Sequence, residues 1–337
     1  MIRSFIAFCL LLGATIVRSQ DKDIHIVFTS DLHFGLKKDH FRNSQDSVSS
    51  YDVNKAMAAT IHNLGDIDYI IVTGDITNRE EVPIQAASVS WKQFWSVYDG
   101  LHIPLLLVPG NHDLSNAIGH YREMSPTQDA SSVVGIYNTM HPGHTLDTAH
   151  FQYRPRDFNY SRDIGGIHFM FISIWPDSSN RAWMEQDLAK IKPTVPVLIF
   201  AHDPPEADSK HFTNPDGGKL KGQEKYENLL PETYTSGYER PWDLFLAKHP
   251  NIKGYFHGHH NYQEFYTYKG LSGDLSLFCD RVDSPMKGKY SSKDEKLLSF
   301  QEIILHSDKK QLEIRECLWN GTEGKEVKWG ESHILQL

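Results

Sequence analysis

Polar residues able to bind metals follow five apolar runs of this sequence, at the point where each run ends. Their side chains are carboxylates, amides and imidazoles, which supply the oxygen and nitrogen ligands of Mn, Zn and Fe. The five endings are Asp31-Leu32-His33, Gly74-Asp75 with Asn78, Gly110-Asn111-His112-Asp113, His202, and Gly258-His259-His260-Asn261. A single Asp or Asn after a strand usually caps a helix or forms a turn. Five such endings in one chain instead predict a shared metal site.

The apolar runs themselves predict the strands that position these residues. The expected strands are Ile24–Thr29, Tyr69–Thr73, Leu105–Val108, Ile167–Ile174, Val195–Ala201 and Ile252–His257. Helical spacing of apolar residues predicts helices between them, at Tyr51–Leu64, Ile84–Tyr98 and Ser179–Lys190. This alternation predicts an α/β fold. In such sheets ligands bind beyond the carboxyl ends of the strands, so the five endings can converge on one crevice.

The rest of the chain shows two further patterns. Ser299–Leu305 and Gln311–Leu318 alternate apolar and polar residues, which predicts half-exposed edge strands and a strand-rich C-terminal segment over about 299–337. Leu114–Gly166 and Asp203–Arg240 are polar and long for connections, which makes them candidate substrate loops. For the first of them we favour the alternative, a solvated loop without a role in binding. No repeat or linker divides the chain, and we expect one domain over 20–337.

The N-terminal residues 1–19 have the pattern of a secretory signal peptide. Arg3 supplies the positive start, and Phe5–Val17 is an apolar run. A run of about 13 residues is too short to cross about 30 Å of hydrocarbon, so we expect cleavage after Ser19 and no membrane span. The chain is then secreted or periplasmic. The remaining Cys279 and Cys317 could pair in such a compartment or stay as two buried thiols.

Composition excludes several classes of protein. Of the 337 residues, 39% are hydrophobic and 23% are charged, which is typical of a folded globular chain. The net charge of −9, with 34 basic against 43 acidic residues, argues against binding a nucleic-acid duplex through its phosphates. We therefore expect a small or neutral partner.

The order and spacing of the five endings resemble the calcineurin-like metallophosphoesterase superfamily, over residues from about 24 to 261. The resemblance implies a four-layer α/β/β/α sandwich with a centre of two metal ions. It also implies a role for each matching residue. Asp31 and His33 would bind the first metal, Asp75 would bridge the two, and Asn111, His202 and His259 would bind the second.

The same resemblance implies a hydrolase of small phosphorylated substrates, either phosphomonoesters or phosphodiesters, and the signal pattern of residues 1–19 makes this an exported enzyme. A hydroxide bridging the two metals would attack phosphorus, and the cations would stabilise the developing charge. His112 would act as the general acid for the leaving alkoxide. Asp113 would orient the His112 ring, cap the following helix, or both. The metals are two divalent or mixed-valence ions, with Mn, Zn and Fe all compatible with these ligands.

Two positions depart from the family pattern. Asn261 stands where the family's Gly-His-x-His ends in histidine, so either the Asn261 amide oxygen or His260, on a bulged strand, would complete the first metal site. Asn78 stands where purple acid phosphatases carry a metal-binding tyrosine, so we expect a chain outside that branch. The change at Asn261 also leaves an alternative function, a catalytically silent metal-binding scaffold that keeps the fold.

Overall fold

Two six-stranded sheets form the centre of the computed structural model. It describes residues 22–41, 45–78, 85–119, 128–214, 226–233, 239–286, 297–306, 308–319 and 327–337. The expected signal peptide of residues 1–19 lies outside these ranges. No helix of the described ranges is long and apolar enough to cross a membrane.

The first sheet has the strand order β14-β13-β12-β1-β4-β5. Its members are β1 (Ile24–Thr29), β4 (Tyr69–Val72), β5 (Leu105–Leu107), β12 (Leu298–His306), β13 (Gln311–Trp319) and β14 (Val327–Gln336). Strands β1, β4 and β5 are parallel. A separate two-stranded ribbon joins β2 (Lys37–Lys38) and β3 (Val48–Ser49).

The second sheet has the strand order β10-β11-β9-β8-β7-β6. Its members are β6 (Tyr160–Ile164), β7 (Ile167–Phe171), β8 (Val197–Phe200), β9 (Ile252–His257), β10 (Glu264–Tyr268) and β11 (Leu277–Arg281). Strands β7, β8, β9 and β11 are parallel. The carboxyl ends of these strands therefore lie along one edge of the sheet.

Helices cover the outer faces of both sheets. They are α1 (Ser50–Leu64), α2 (Ala87–Tyr98), α3 (Asn111–Ile118), α4 (Ser131–Met140), α5 (Ser178–Leu188) and α6 (Arg240–Lys248). Apolar residues of α1 and α2 pack with the first sheet, and those of α5 and α6 pack with the second. The predicted α/β fold with four layers is confirmed.

Aromatic side chains fill the space between the two sheets. The Phe28 ring of the first sheet meets Phe200 and Phe256 of the second edge-to-face, with centroids 5.7 and 5.8 Å away. Phe200 and Phe256 stack on each other at 4.7 Å. All three are fully buried. Such pairs add about 0.5 to 1.5 kcal/mol each beyond the area that they bury, so the contact fixes one sheet against the other.

The prediction of half-exposed C-terminal edge strands is wrong for β12. This strand pairs with β1 on one side and β13 on the other, and eight of its nine residues are buried. Its alternating polar residues are paired with side chains of neighbouring strands instead of facing solvent. Gln301 donates to Asp280 at 2.7 Å, and Glu302 accepts from Arg315 at 2.7 Å.

The prediction of a loop over Leu114–Gly166 is also wrong in part, because α4 and β6 lie within it. The α4 residues have weak helix propensity, since β-branched Val133 and Val134 adjoin Gly135. Packing supplies the stability, because a Cβ at Gly135 would lie 2.1 Å from the Trp91 ring. The helix therefore depends on contacts that local sequence does not encode.

The two cysteines left open by the sequence are both buried and free. Cys279 lies on β11 of the second sheet and Cys317 on β13 of the first. Burial raises the pKa of each thiol above its usual range. Both therefore behave as small apolar side chains of the core.

Candidate metal centre

The predicted strand endings meet at one place between the two sheets. Asp31 and His33 follow β1, Asp75 follows β4, and Asn111 begins α3 just beyond β5. His202 follows β8 and His259 follows β9 of the second sheet. The site is therefore built from both sheets, at the carboxyl ends of parallel strands.

Asp75 lies at the centre of this cluster, with its two carboxylate oxygens facing different groups. Its Oδ2 is 3.9 Å from His33 Nε2 and 3.7 Å from His112 Nε2. Its Oδ1 is 3.4 Å from His202 Nε2. Asp75, His33 and His112 form one group able to hold a metal, and Asp31, Asp75 and His202 form another. One carboxylate thus belongs to two candidate ligand sets.

The second-sheet side of the site joins Asn111, His202 and His259. Asn111 Oδ1 lies 3.1 Å from His202 Nε2, and His259 Nδ1 lies 3.3 Å from the same nitrogen. His202 Nδ1 lies 2.7 Å from the Thr73 carbonyl and donates to it in the corresponding tautomer. That tautomer leaves the lone pair of Nε2 facing Asn111 and His259.

The first-sheet side joins Asp31 and His33, which are both fully buried. Asp31 Oδ1 lies 3.7 Å from His33 Nε2, and Asp31 Oδ2 accepts from the His259 backbone at 2.9 Å. Asn261 donates from Nδ2 to the His259 carbonyl at 2.8 Å, while its Oδ1 is buried with no hydrogen-bond partner among the described residues. His260 is exposed. Of these two candidates, Asn261 is the one with a buried ligand atom to offer.

His112 and Asp113 lie in the first turn of α3 and differ in what they contact. The His112 ring meets His33 edge-to-face with centroids 4.8 Å apart. The Asp113 carboxylate accepts from the backbone of Gly110, Ile76 and Thr77 at 2.9 to 3.1 Å, and from the Thr77 and Ser132 hydroxyls at 2.8 and 2.7 Å. The bond from Gly110 is the one that caps α3, and the other four donors lie outside the helix. They tie the start of α3 to the segment that follows β4.

Backbone conformation at the site is strained. Eleven non-glycine residues of the described chain have φ in the left-handed region. Five of them are predicted ligands: Asp31, His33, Asp75, His259 and Asn261, with φ between 48° and 69°. Each such conformation costs about 1 to 3 kcal/mol and persists only where surrounding contacts impose it. Strain concentrated on these side chains is typical of a functional site.

Two glycines before the ligands allow the chains to approach closely. A Cβ on Gly110 would lie 2.1 Å from the Asp75 nitrogen and 2.3 Å from its Oδ1. A Cβ on Gly258 would lie 2.0 Å from Ser30 Oγ and 2.3 Å from Asp31 Oδ2. Any larger residue at either position would displace a carboxylate of the cluster.

The carboxylates and imidazoles of the site shift one another's pKa values. Burial acts to raise the pKa of Asp75, but His112, His202 and His33 outweigh it and hold that pKa well below its usual range. Burial acts to lower the pKa of His202, but Asp75 raises it to about 10. The buried carboxylates therefore create a negative potential, which would stabilise a metal cation as it stabilises a protonated imidazole.

Four polar residues near the site were missed by the sequence analysis. Asp203 Oδ2 lies 2.6 Å from His211 Nδ1, Asp208 Oδ2 lies 3.2 Å from His259 Nε2, and Glu227 Oε2 accepts from Ser115 at 3.1 Å. All four belong to the long segment Asp203–Arg240, which was expected to be a substrate loop. Its adjacency to His202 is the signal that could have found them.

The residues present fit metal binding. Asp31 Oδ1, both His33 ring nitrogens, Asp203 Oδ1 and Asn261 Oδ1 are buried with no hydrogen-bond partner among the described residues. A buried polar atom without a partner costs about 1 to 3 kcal/mol. Groups of three ligand atoms within 4.8 Å of one another occur at four places in the described chain. Metal coordination would satisfy these atoms together.

Comparison with known proteins agrees with this geometry. The sequence model of the family described as calcineurin-like phosphoesterase matches residues 24–272. A probable cyclic nucleotide phosphodiesterase of Rhodopseudomonas palustris is 26% identical over 193 residues, which are 54% of this chain and 62% of that relative. The matched part thus spans less than two thirds of the relative's length.

Two solved structures share the fold. A purple acid phosphatase from yellow lupin (Lupinus luteus) seeds superposes with a TM-score of 0.55 at 14% identity, covering 94% of this chain and 54% of its own. A dimetal phosphatase from Danio rerio superposes with a TM-score of 0.54 at 11% identity, covering 93% of this chain and 98% of its own. At these identities the likeness concerns the fold alone.

Proposed function

Because this chain belongs to the calcineurin-like phosphoesterase family, we propose that it is a metal-dependent hydrolase of phosphoric esters. The observation that carries the proposal is the position of Asp75, whose two carboxylate oxygens face two different sets of ligand atoms. A carboxylate placed in this way can bridge two cations, the arrangement that two-metal hydrolases use.

The proposed ligands divide between two metal positions that share Asp75. The first position uses Asp31, His33, Asp75 and Asn261, and the second uses Asp75, Asn111, His202 and His259. The unpartnered Asn261 oxygen supports its choice over exposed His260. These oxygen and nitrogen donors suit Mn, Zn or Fe.

The reaction assigns separate tasks to the residues of the chain. The ligands of the two positions would hold two cations, which when bound would supply Lewis acidity toward phosphate and lower the pKa of a water molecule. His112, whose Nε2 points into the cluster, delivers a proton from that atom to the leaving oxygen. Asp113 fixes the start of α3, so it positions both His112 and Asn111.

The proposed substrate is a small phosphodiester. This choice rests on the bacterial relative, which is named a cyclic nucleotide phosphodiesterase. Export is a second part of the proposal, supported by the signal pattern of residues 1–19. An exported enzyme would meet extracellular or periplasmic phosphodiesters instead of intracellular second messengers. Amino-terminal sequencing of the chain recovered from a secreting host tests this part, with Gln20 expected as the first residue.

Hydrolysis of paired chromogenic substrates tests the activity. The protein is stripped with a chelator and assayed on a phosphomonoester and on a phosphodiester, with and without added Mn²⁺ or Zn²⁺. We expect metal to restore turnover, with the diester the faster substrate. Faster hydrolysis of the monoester than of the diester would refute the proposed substrate class. Turnover that does not depend on added metal would refute the proposed mechanism.

Two variants distinguish an enzyme from a silent scaffold. Asp75→Asn removes the charge shared by both positions, so we expect loss of bound metal and of nearly all turnover. His112→Ala should keep two metals and lose turnover by about 10²- to 10⁴-fold, the usual range for a general acid. Loss of a metal equivalent in His112→Ala would instead make His112 a ligand, as its group with His33 and Asp75 allows.

A further inference from the structure

The proposed ligands of the second metal position are oriented by hydrogen bonds to those of their atoms that face away from the metal. A histidine that binds a metal usually donates its other ring nitrogen to a carboxylate or carbonyl, which fixes its tautomer and ring orientation. His202 has this arrangement with the Thr73 carbonyl at 2.7 Å. His259 has it with Asp208, whose Oδ2 lies 3.2 Å from Nε2 while Nδ1 faces His202 at 3.3 Å.

Asn111 is oriented in the same way by Glu227. Its Nδ2 donates to Glu227 Oε2 at 3.4 Å, which turns Oδ1 toward His202 Nε2. Ser115 holds the same Glu227 oxygen at 3.1 Å, and Glu227 is 4% exposed. An amide can bind a metal only through its oxygen, so this contact decides which atom faces the site.

The first metal position has less of this support, and none of it reaches the His33 ring. Both ring nitrogens of His33 are buried with no hydrogen-bond partner among the described residues. Asp31 Oδ1 is also buried with no hydrogen-bond partner among the described residues. The His33 ring therefore gains partners only when a cation binds, so no hydrogen bond fixes its orientation in advance, whereas Asp31 is held at Oδ2 by the His259 backbone.

We infer that Asp208 and Glu227 are positioning residues that preorganise the second metal position, which therefore binds its ion more tightly than the first. The inference rests on the proposed function for its ligand assignment. Preorganisation favours binding because fewer side chains must be ordered when the ion arrives. Both acids come from the segment Asp203–Arg240, far in sequence from Asn111.

The hydrogen bonds favour a positioning role over a third metal position. Asp208, His211 and His259 do form a possible ligand group. However, Lys210 Nζ lies 3.4 Å from Asp208 Oδ2, so a cation already faces that oxygen. His211 Nδ1 is occupied by Asp203 at 2.6 Å. Asp208 Oδ2 thus already faces two partners, Lys210 Nζ and His259 Nε2, before any third ion binds.

Titration of the metal-free full chain with Zn²⁺, in competition with a chromogenic chelator, tests the inference. We expect two equivalents of unequal affinity, with the tighter one surviving His33→Ala. In Asp208→Ala and in Glu227→Ala the tighter equivalent should weaken by about 10- to 100-fold. Asp208→Asn should lose less, because its amide oxygen still accepts from His259 Nε2.

A matched control separates positioning from damage to the fold. Asp163 also pairs with a histidine, His168, at 2.7 Å, but at the start of β7, away from the carboxyl ends that form the site. Asp163→Ala should leave both Zn²⁺ affinities unchanged. Thermal unfolding of the metal-free chain should be the same for Asp208→Ala and Asp163→Ala.

The other outcomes overturn the inference, and each has a distinct meaning. Unchanged Zn²⁺ affinity in Asp208→Ala would show that His259 needs no support. Three equivalents in the native chain, with one lost in Asp208→Ala, would make Asp208 a ligand. Equal weakening of both equivalents, or a lower unfolding temperature without metal, would show a structural effect. Failure of the native chain to bind two ions would instead refute the proposed function itself.

Discussion

A buried acid between the two sheets makes the stability of this protein depend on pH in an unusual direction. Asp280 on β11 is fully buried and accepts from Gln301 Nε2 on β12 at 2.7 Å. Asp280 Oδ2 and Gln301 Oε1 are both buried without a hydrogen-bond partner among the described residues. A proton on Oδ2 would let Asp280 donate to Gln301 Oε1 and complete a reciprocal pair.

Burial raises the pKa of Asp280 well above its usual range, outweighing the hydrogen bond from Gln301. The folded chain therefore binds a proton that the unfolded chain releases near pH 4. The stabilisation is complete below that pH and is lost as the pH rises toward and through the folded-state pKa. In this window the cost grows by about 1.4 kcal/mol per pH unit.

Asp280→Asn replaces the protonated carboxyl with a neutral amide that can make both hydrogen bonds at every pH. We expect the variant to match the native chain near pH 4 and to exceed its stability increasingly above that. At about 1.5 °C of Tm for each kcal/mol in a chain of this length, the gap should widen by about 2 °C per pH unit at first.

Thermal unfolding of both proteins between pH 4 and 8 measures this gap. Asp66→Asn is the control, because Asp66 is exposed and 4.0 Å from its nearest cation, Lys22. Comparison at each pH cancels contributions from the metal ligands, which both proteins share. Parallel curves, with a constant difference in Tm, would refute the assignment of a neutral Asp280.

Two further predictions concern sterics and charge. Gly110→Ala should displace Asp75 through the contacts of the new Cβ and lower turnover by about 100-fold. The control is Gly100→Ala, which should leave turnover unchanged because a Cβ there would have no atom within 4 Å. Equal turnover in the two variants would contradict the close approach of Gly110 to Asp75. Burial opposes ionisation of Asp187, but His168 and Lys190 lower its pKa to about 2, so its stabilisation is present above pH 4 and lost as pH falls toward 2. Asp187→Asn should therefore cost about 1 kcal/mol at pH 7 after allowance for solvent screening, measured by urea unfolding, and a deficit as large at pH 2 as at pH 7 would refute this origin.

Strand positions followed from sequence where apolar runs are short, buried and bounded by polar endings. The predicted bounds of Ile24–Thr29 and Ile252–His257 are the observed ones. The prediction failed for β12 because burial depends on which strands lie alongside it. Gln301 looks solvent-facing in sequence, yet Asp280 of the opposite sheet gives it a buried partner.

Some residues of the candidate site could be predicted from the sequence for a similar reason. Asp75 and His202 could be placed because strand ends meet at one edge in any parallel sheet. Asp208 and Glu227 could not be placed, since the sequence of a long polar segment does not show which distant residues its side chains contact. Their roles depend on tertiary contacts with His259 and Asn111, which no local pattern of residues encodes.

The division of the proposed ligands between two sheets has a consequence for distant parts of the core. The first sheet carries Asp31, His33, Asp75 and Asn111, whereas the second carries His202 and His259. The register between these two groups is set by inter-sheet contacts such as Phe28 against Phe200 and Phe256. A misplacement of about 1 Å can cost about 100-fold in rate. The packing of these three phenylalanines therefore aligns the two groups of ligands, and we expect substitutions there to lower turnover although none of the three is a ligand.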